Sequence, residues 1–135
     1  MKILDNNFAN VTFEEKIFRV NIKDVYPKEE EWEECKQGLE NFYEAIKIKK
    51  VHFTILYDIT NMGLLPFNYI KDLISILMKH RDTSEELVIA SIIIVNNKIV
   101  KNVVNSMFAM YPSARPIKFV NSMDEAKDII EEYSR

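Results

Sequence analysis

The chain of 135 residues has the length of one ordinary domain, and its 47% hydrophobic and 29% charged residues are typical of a folded globular protein. The net charge of −3 provides no long-range attraction to nucleic acid, so we expect no nucleic-acid partner. The chain has only two glycines, which excludes the Gly-rich dinucleotide fingerprint and the phosphate-binding P-loop, because each needs more.

The first sixteen residues contain no sustained apolar segment, and the longest apolar run, Leu87–Val95, is too short to cross a bilayer. We therefore expect no signal peptide, no membrane insertion and a cytoplasmic location. Cys35 is the only cysteine, so no intramolecular disulfide can form, and we predict a buried, unreactive thiol. The two histidines, His52 and His80, are predicted to be structural, and neither a metal site nor a cofactor is expected.

Two adjacent strands, Phe8–Glu15 and Lys16–Ile22, begin the predicted fold. The second alternates apolar and polar residues, which predicts one covered face and one wet face. A helix then follows Pro27, which can occupy a first helical turn. Its apolar positions recur at three- and four-residue spacing: Trp32, Cys35, Leu39, Phe42, Tyr43 and Ile46. Gly38 inside this helix costs about 1 kcal/mol relative to alanine, and the sequence shows no reason for it.

Strands and helices alternate through the rest of the chain. The predicted strands are Val51–Asp58, Leu87–Val95 and Ile117–Asn121, and the second of these is expected to be central because it is apolar on both faces. The first of the predicted helices runs from Pro66 to His80, and the second from a cap at Asn96 or Asn97 to the "PSARP" segment. The last helix runs from Ser122 to the end, and Ser122 and Glu125 make a capping box at its start. The polar "RDTSEE" segment is predicted to be a loop.

The resulting order is β-β-α-β-α-β-α-β-α, which predicts one α/β domain covering residues 1–135. Strands that alternate with helices indicate right-handed crossovers and a mostly parallel, mixed sheet of about five strands with four helices. The N-terminal hairpin adds an antiparallel edge.

The junction after the third predicted strand is the candidate functional site. Asp58 ends that strand at the carboxyl edge of the sheet, where α/β proteins place ligands. An aspartate at this position also caps the turn that follows it, and we favour that interpretation. The loop beyond it is unusually apolar for a solvent-facing segment. The residues predicted to form an interaction surface are Asp58, Thr60, Asn61, Met62, Gly63, Leu64, Leu65, Phe67 and Asn68.

The element order, the "ILYDITNMG" strand and loop, the "ASIIIVN" strand and the closing "IKFVNSMDEAKDII" segment resemble the STAS domain of anti-sigma-factor antagonists. They are most similar to the antagonist-like set that shares features with CRAL-TRIO lipid-binding domains. The resemblance covers residues from about Phe8 to Tyr133. It implies a STAS-like domain that acts by binding another protein, without catalysis.

Classical antagonists are phosphorylated on a serine at the start of the helix after the third strand, within an Asp-Ser-Ser-Gly stretch. At that place this chain has Leu65, Pro66, Phe67 and Asn68, so the phosphoacceptor is missing. We therefore expect this chain to have the fold of that family and to lack its phosphorylation switch.

Three functions remain open from the sequence. The first is a non-enzymatic regulatory module that binds a protein partner through the apolar loop, with homodimerisation as a related outcome. The second is a binder of a small apolar or lipid-like molecule in a cavity between helix and sheet, which the CRAL-TRIO likeness and the helical aromatic residues Trp32, Phe42, Tyr43, Phe108 and Tyr111 suggest. The third is an enzyme, for which Asp58, Thr60 and Asn61 or Asn96 are the candidates. We expect the protein not to be an enzyme.

Overall fold

The structure, a computed structural model, describes residues 1–110 and 115–134. In these ranges the strands are β1 (Lys2–Asp5), β2 (Ala9–Glu14), β3 (Ile17–Ile22), β4 (Phe53–Asp58), β5 (Val88–Ile94) and β6 (Ile117–Val120). The helices are α1 (Glu29–Lys49), α2 (Phe67–Lys79), α3 (Arg81–Leu87), α4 (Lys98–Met110) and α5 (Met123–Tyr133). No helix in these ranges is both long enough and apolar enough to pass through a bilayer.

The described strands form one mixed sheet in the order β1-β2-β3-β4-β5-β6. The first three strands pair antiparallel, and β3 through β6 pair parallel. Glu15 and Lys16 join β2 to β3 with φ angles of 53° and 63°, which are the left-handed values that a tight hairpin turn requires. The predicted α/β class, with a mostly parallel sheet and an antiparallel N-terminal edge, is confirmed.

The strand order explains which face of the sheet each helix covers. Successive right-handed crossovers that all advance in one direction leave their helices on the same face. Accordingly α1, α2 and α4 share one face, where Trp32, Leu73 and Val104 belong to one hydrophobic cluster. Helix α5 covers the opposite face through Ala126, which packs with Leu56 and Ile94. Among the described strands the order never reverses, so they form no switch point of the kind at which open α/β sheets bind nucleotides.

The predicted element count was wrong in two places within the described ranges. Strand β1 was missed because it has only four residues and carries charge at both ends, and it exists through pairing with β2. Helix α3 occupies the segment that was predicted to be a loop. The helix was missed because its polar sequence has no apolar stripe, yet Thr83 and Leu87 are buried. Pro27 also lies before the first turn of α1, which begins at Glu29.

Both predicted caps on the later helices are observed. Asn97 Oδ1 accepts hydrogen bonds from the backbone nitrogens of Ile99 and Val100, at 2.9 and 3.1 Å. Ser122 Oγ accepts from the backbone nitrogen of Glu125 at 3.3 Å. Tyr111 and the first three residues of the "PSARP" segment, which was predicted to end α4, lie outside the described residues. Arg115 and Pro116 of that segment lie within them.

The structure shows no steric need for glycine at position 38, and it predicts a stabilising substitution. A Cβ added there would lie 3.7 Å from Ile3 Cγ2 and 3.8 Å from Leu4 Cβ, which is ordinary van der Waals contact with β1. Gly38→Ala is therefore expected to raise the free energy of unfolding by about 1 kcal/mol, because alanine is the better helix former. Urea unfolding measures the change, and a loss of stability would contradict it.

Candidate functional site

Asp58 closes a turn at the carboxyl edge of the sheet. Its Oδ1 accepts a hydrogen bond from the backbone nitrogen of Thr60 at 3.2 Å and a second one from Thr60 Oγ1. Asn61 Nδ2 reaches across to the carbonyl oxygen of Ile22, the last residue of β3, at 3.5 Å. The capping interpretation of Asp58 is therefore confirmed, and the polar residues of this turn hold the chain in place.

The apolar residues of the loop between β4 and α2 divide into two sets. Met62 and Leu65 are half-buried and pack against the core. Leu64 and Phe67 are 52% and 69% exposed. Phe67 and Asn68 form the first turn of α2, and both are exposed, so the helix start that the resemblance associates with a phosphorylated serine presents an aromatic ring and an amide.

A second segment lies against this loop. The backbone nitrogen of Gly63 donates a hydrogen bond to the carbonyl oxygen of Val25 at 2.9 Å. Val25 and Tyr26, between β3 and α1, are 58% and 50% exposed. The Tyr26 ring lies 6.5 Å from that of Tyr69 in α2. We call the exposed side chains Val25, Tyr26, Leu64 and Phe67 the carboxyl-edge patch.

Sequence reasoning identified half of the carboxyl-edge patch. Leu64 and Phe67 were predicted because the loop that carries them is apolar. Val25 and Tyr26 were missed because their segment, "DVYP", resembles a strand break and has no periodicity. Only the hydrogen bond between Val25 and Gly63 shows that this segment lies beside the loop.

An apolar cavity of about 150 Å³ lies beneath the loop, between the sheet and helices α1, α2 and α4. Its walls include Phe8, Ile93 and Val100, which are buried, and Met62 and Leu64 from the loop. Leu64 both lines the cavity and is half exposed, so the cavity approaches the surface at this loop. A cavity of this size exceeds the small voids of an ordinary close-packed core.

The cavity lining contains little that could catalyse a reaction. Asp58, Thr60, Asn61 and Asn96 are not among the described residues that line it. Lys36 does line it, but its Nζ lies 2.9 Å from Glu33 Oε1 and 3.1 Å from Asp72 Oδ2. The hydrogen bond to Glu33 raises the pKa of Lys36, and Asp72 adds to this effect, so the ammonium group stays charged and paired.

Cys35 also lines the cavity, and burial raises the pKa of its thiol to about 11 from an ordinary value of 9.0. Cys35 is half-buried, whereas a buried thiol was predicted, and its raised pKa favours the predicted low reactivity. Between pH 7 and 8, where the thiol is the major form in both states, the thiolate is about a hundredfold rarer in the folded protein than in the unfolded chain, since each pKa unit is a factor of ten. We expect the rate of iodoacetamide alkylation of the folded protein to keep rising through pH 10, whereas the rate in urea levels off above pH 9. A plateau at or below pH 9 for the folded protein would contradict this.

His80 has the structural role that was predicted for it. It is 5% exposed, its ring stacks on Tyr43 at 4.8 Å, and its Nε2 lies 3.1 Å from Glu40 Oε2. Burial opposes ionisation of Glu40, but the hydrogen bonds from Lys79 and His80 outweigh it and hold the pKa of Glu40 below its ordinary value. Glu40, Glu44 and His80 form a cluster of three side chains whose atoms could ligate a metal ion. Lys79 Nζ lies 3.0 Å from Glu40 Oε2, however, and already supplies a positive charge there.

No family model matches the sequence, and no curated protein matches it. Two solved structures are similar in fold. One is an uncharacterized protein of the DUF3478 family with a SpoIIAA-like fold from Shewanella loihica, with a TM-score of 0.61 and 15% identity over 89% of this chain and 90% of the other. The second is an anti-sigma factor antagonist from Mycobacterium paratuberculosis, with a TM-score of 0.49 and 11% identity over 91% of this chain and 92% of the other. The similarity to the first of these structures shows that the chain has a SpoIIAA-like fold, that is, the STAS-like fold that the sequence resemblance predicted.

Proposed function

We propose that this protein is a non-enzymatic regulatory module that binds another protein through the carboxyl-edge patch. The observation that carries the proposal is the exposure of Leu64 and Phe67, 52% and 69%, beside the exposed Val25 and Tyr26. Apolar side chains that cluster on a surface are typical of interaction sites, whereas isolated ones are common on any protein. Phe67 also has Lys71 Nζ 5.9 Å from its ring centre, so a cation borders the patch.

The absence of catalytic chemistry from the cavity lining supports a binding function. Of its described residues, Lys36 is paired with two carboxylates, and burial raises the pKa of Cys35. Asp58 is engaged in the turn with Thr60. Asp58, Thr60 and Asn61 are thus engaged in hydrogen bonds within the fold, and we retain the non-enzymatic function.

A pair of double variants tests the proposal. Leu64→Asp with Phe67→Asp places two charges in the patch. Ile48→Asp with Met78→Asp is the matched control, because these side chains are 82% and 55% exposed and lie near the ends of α1 and α2, away from the patch. We expect tagged wild type and control to capture the same protein from the source cells and the patch variant to lose it. Capture of that protein by the patch variant would overturn the proposal.

Self-association through the same patch is the related outcome, and sedimentation of the purified protein distinguishes it. A dimer that becomes a monomer in the patch variant, and not in the control, assigns the patch to a second copy of the chain. A monomer in all three proteins leaves a different protein as the partner.

The cavity favours a second function, the binding of a small apolar molecule. An engineered apolar cavity of about 150 Å³ in another protein takes up benzene, so the volume here is sufficient for a ring of that size. Titration with benzene should produce saturable amide shifts at Phe8, Ala9 and Val100, which line the cavity. Val104→Phe, which adds a ring to the cavity wall, should abolish them. Unchanged spectra up to the solubility limit of benzene would reject this second function.

A further inference from the structure

Helices α2 and α4 lie on the same face of the sheet without packing closely against each other. Helix α1 packs directly against α2, whereas α4 makes no comparable contact with α2 among the described residues. Ile70 of α2 and Val103 of α4 both line the cavity that lies between these helices and the sheet. The two helices are therefore separated above the cavity, and the sides that they turn toward each other are not covered by a third helix.

The side of α2 that faces α4 is apolar. Asp72 marks the side that faces α1, because its carboxylate lies 3.1 Å from Lys36 Nζ of that helix. Phe67, Ile70 and Ile74 recur at three- and four-residue spacing, so they share the side that faces away from α1. Phe67 is 69% exposed, and Ile70 and Ile74 are half-buried.

The side of α4 that faces α2 is apolar as well. Lys101 marks the side that faces β6, because its Nζ lies 5.7 Å from the ring centre of Phe119. Ile99 and Val103 are each two residues from Lys101, which is about 200° around a helix, so they lie on the opposite side. Ile99 is 64% exposed, and Val103 is half-buried. We call Phe67, Ile70, Ile74, Ile99 and Val103 the α2–α4 groove.

The start of the α2–α4 groove is positively charged, although the whole chain has a net charge of −3. Helices α1 and α5 have acidic residues in their first turns, whereas α2 and α4 have none. Lys71 and Lys98 are exposed, and neither belongs to an ion pair between described residues. The N-terminal ends of both helices add positive partial charge. Beyond the groove, α2 leads into α3 with its exposed Asp82, so the positive region is confined to the first turns.

We propose that the α2–α4 groove binds an acidic amphipathic helix of another protein, with the apolar side of that helix in the groove and its carboxylates beside Lys71 and Lys98. This inference rests on the proposed function, which supplies a protein partner and shares Phe67 with the groove, and it adds the structural class of the partner. The sides of α2 and α4 offer no free backbone groups to an extended peptide, whereas a helix satisfies its own backbone hydrogen bonds.

A second copy of this chain does not supply such a helix. The described helices with net negative charge are α1, α3 and α5. Each already packs its apolar side in the core, through Trp32, Phe42 and Ile46 in α1, Leu87 in α3 and Ala126 in α5. The complementary charge and a free apolar side must therefore come from a different protein.

The test selects binders of the wild type from a phage-displayed library of random peptides of about 15 residues, a length that can form a helix. We expect the enriched peptides to carry net negative charge and to have apolar residues at i, i+3 or i+4, and i+7. Enriched peptides that are basic or lack this spacing would overturn the inference, and so would a selection without enrichment.

The dissociation constant of one labelled enriched peptide, measured by fluorescence anisotropy, then locates the site. Ile99→Asp lies outside the carboxyl-edge patch, and an aspartate in the first turn of a helix is compatible with folding, so we expect the constant to rise about tenfold. Lys71→Glu with Lys98→Glu should raise it by a similar factor, most strongly at low salt. Lys118→Glu with Lys127→Glu is the matched control, since it makes the same change in net charge on the opposite face and should leave the constant unchanged.

The outcomes separate this inference from the proposed function. Equal peptide binding by the wild type and Ile99→Asp, with binding lost in Leu64→Asp with Phe67→Asp, refutes the groove and leaves the patch as the protein-binding site. Capture of the cellular partner by that patch variant overturns the proposed function, whereas loss of the peptide in Ile99→Asp still supports the groove. If Ile99→Asp does not fold, Ile99→Ala replaces it, with an expected weakening of about fivefold.

Discussion

Phe42→Ala is expected to lower the free energy of unfolding by about 4 kcal/mol, because removing a buried phenylalanine takes away its transfer free energy and leaves a cavity. Phe42 is 5% exposed at the centre of an aromatic cluster. Its ring stacks on Phe18 at 4.1 Å and meets Phe13 and Phe53 edge-on at 5.2 and 5.1 Å, which joins α1 to three strands. Guanidinium unfolding followed by the fluorescence of Trp32 measures the loss.

The control for this prediction is Ile48→Ala on the same helix. Ile48 is 82% exposed, so its truncation should change the stability by no more than about 0.5 kcal/mol. If Phe42→Ala leaves no folded protein to measure, Phe42→Leu should still fold and lose about 1.5 kcal/mol. Equal losses for Phe42→Ala and Ile48→Ala would refute the aromatic cluster as the centre of the core.

Gly63→Ala is expected to lower the free energy of unfolding by about 2 kcal/mol, within the range typical of overpacking. A Cβ at this position would lie 2.6 Å from Val25 Cγ1 and 3.3 Å from Val25 O, so the Val25 side chain must turn away and its backbone carbonyl must give by a few tenths of an ångström. That movement strains the hydrogen bond from Gly63 N to Val25 O. Because Val25 belongs to the carboxyl-edge patch, the same substitution should weaken capture of the protein partner.

Gly38→Ala is the matched control, since it is the same substitution at the only other glycine. The two changes should act in opposite directions, stabilising at position 38 and destabilising at position 63. Val25→Ala in the Gly63→Ala background should recover part of the lost stability, because it removes the atom that the new methyl group meets. A stabilising Gly63→Ala would show that the two segments are not in contact.

The sequence predicted individual residues at this edge of the sheet and not the segment that lies against them. The role of Asp58 as a cap followed from its place after a strand, and the hydrogen bond from Thr60 N confirms it. Leu64 and Phe67 were chosen from local apolar character. The pairing of their loop with Val25 depends on a contact between segments almost forty positions apart, which no local pattern encodes.

The sequence by itself determined the fold class, because the alternation of β-rich and helical periods allows few topologies once crossovers are right-handed. It also determined which side chains of α1 face inward, since the spacing of apolar residues sets the buried side of a helix. It could not determine how completely those side chains fill the space they share with the sheet. The cavity arises where helices and sheet meet imperfectly, and only the tertiary structure decides that fit.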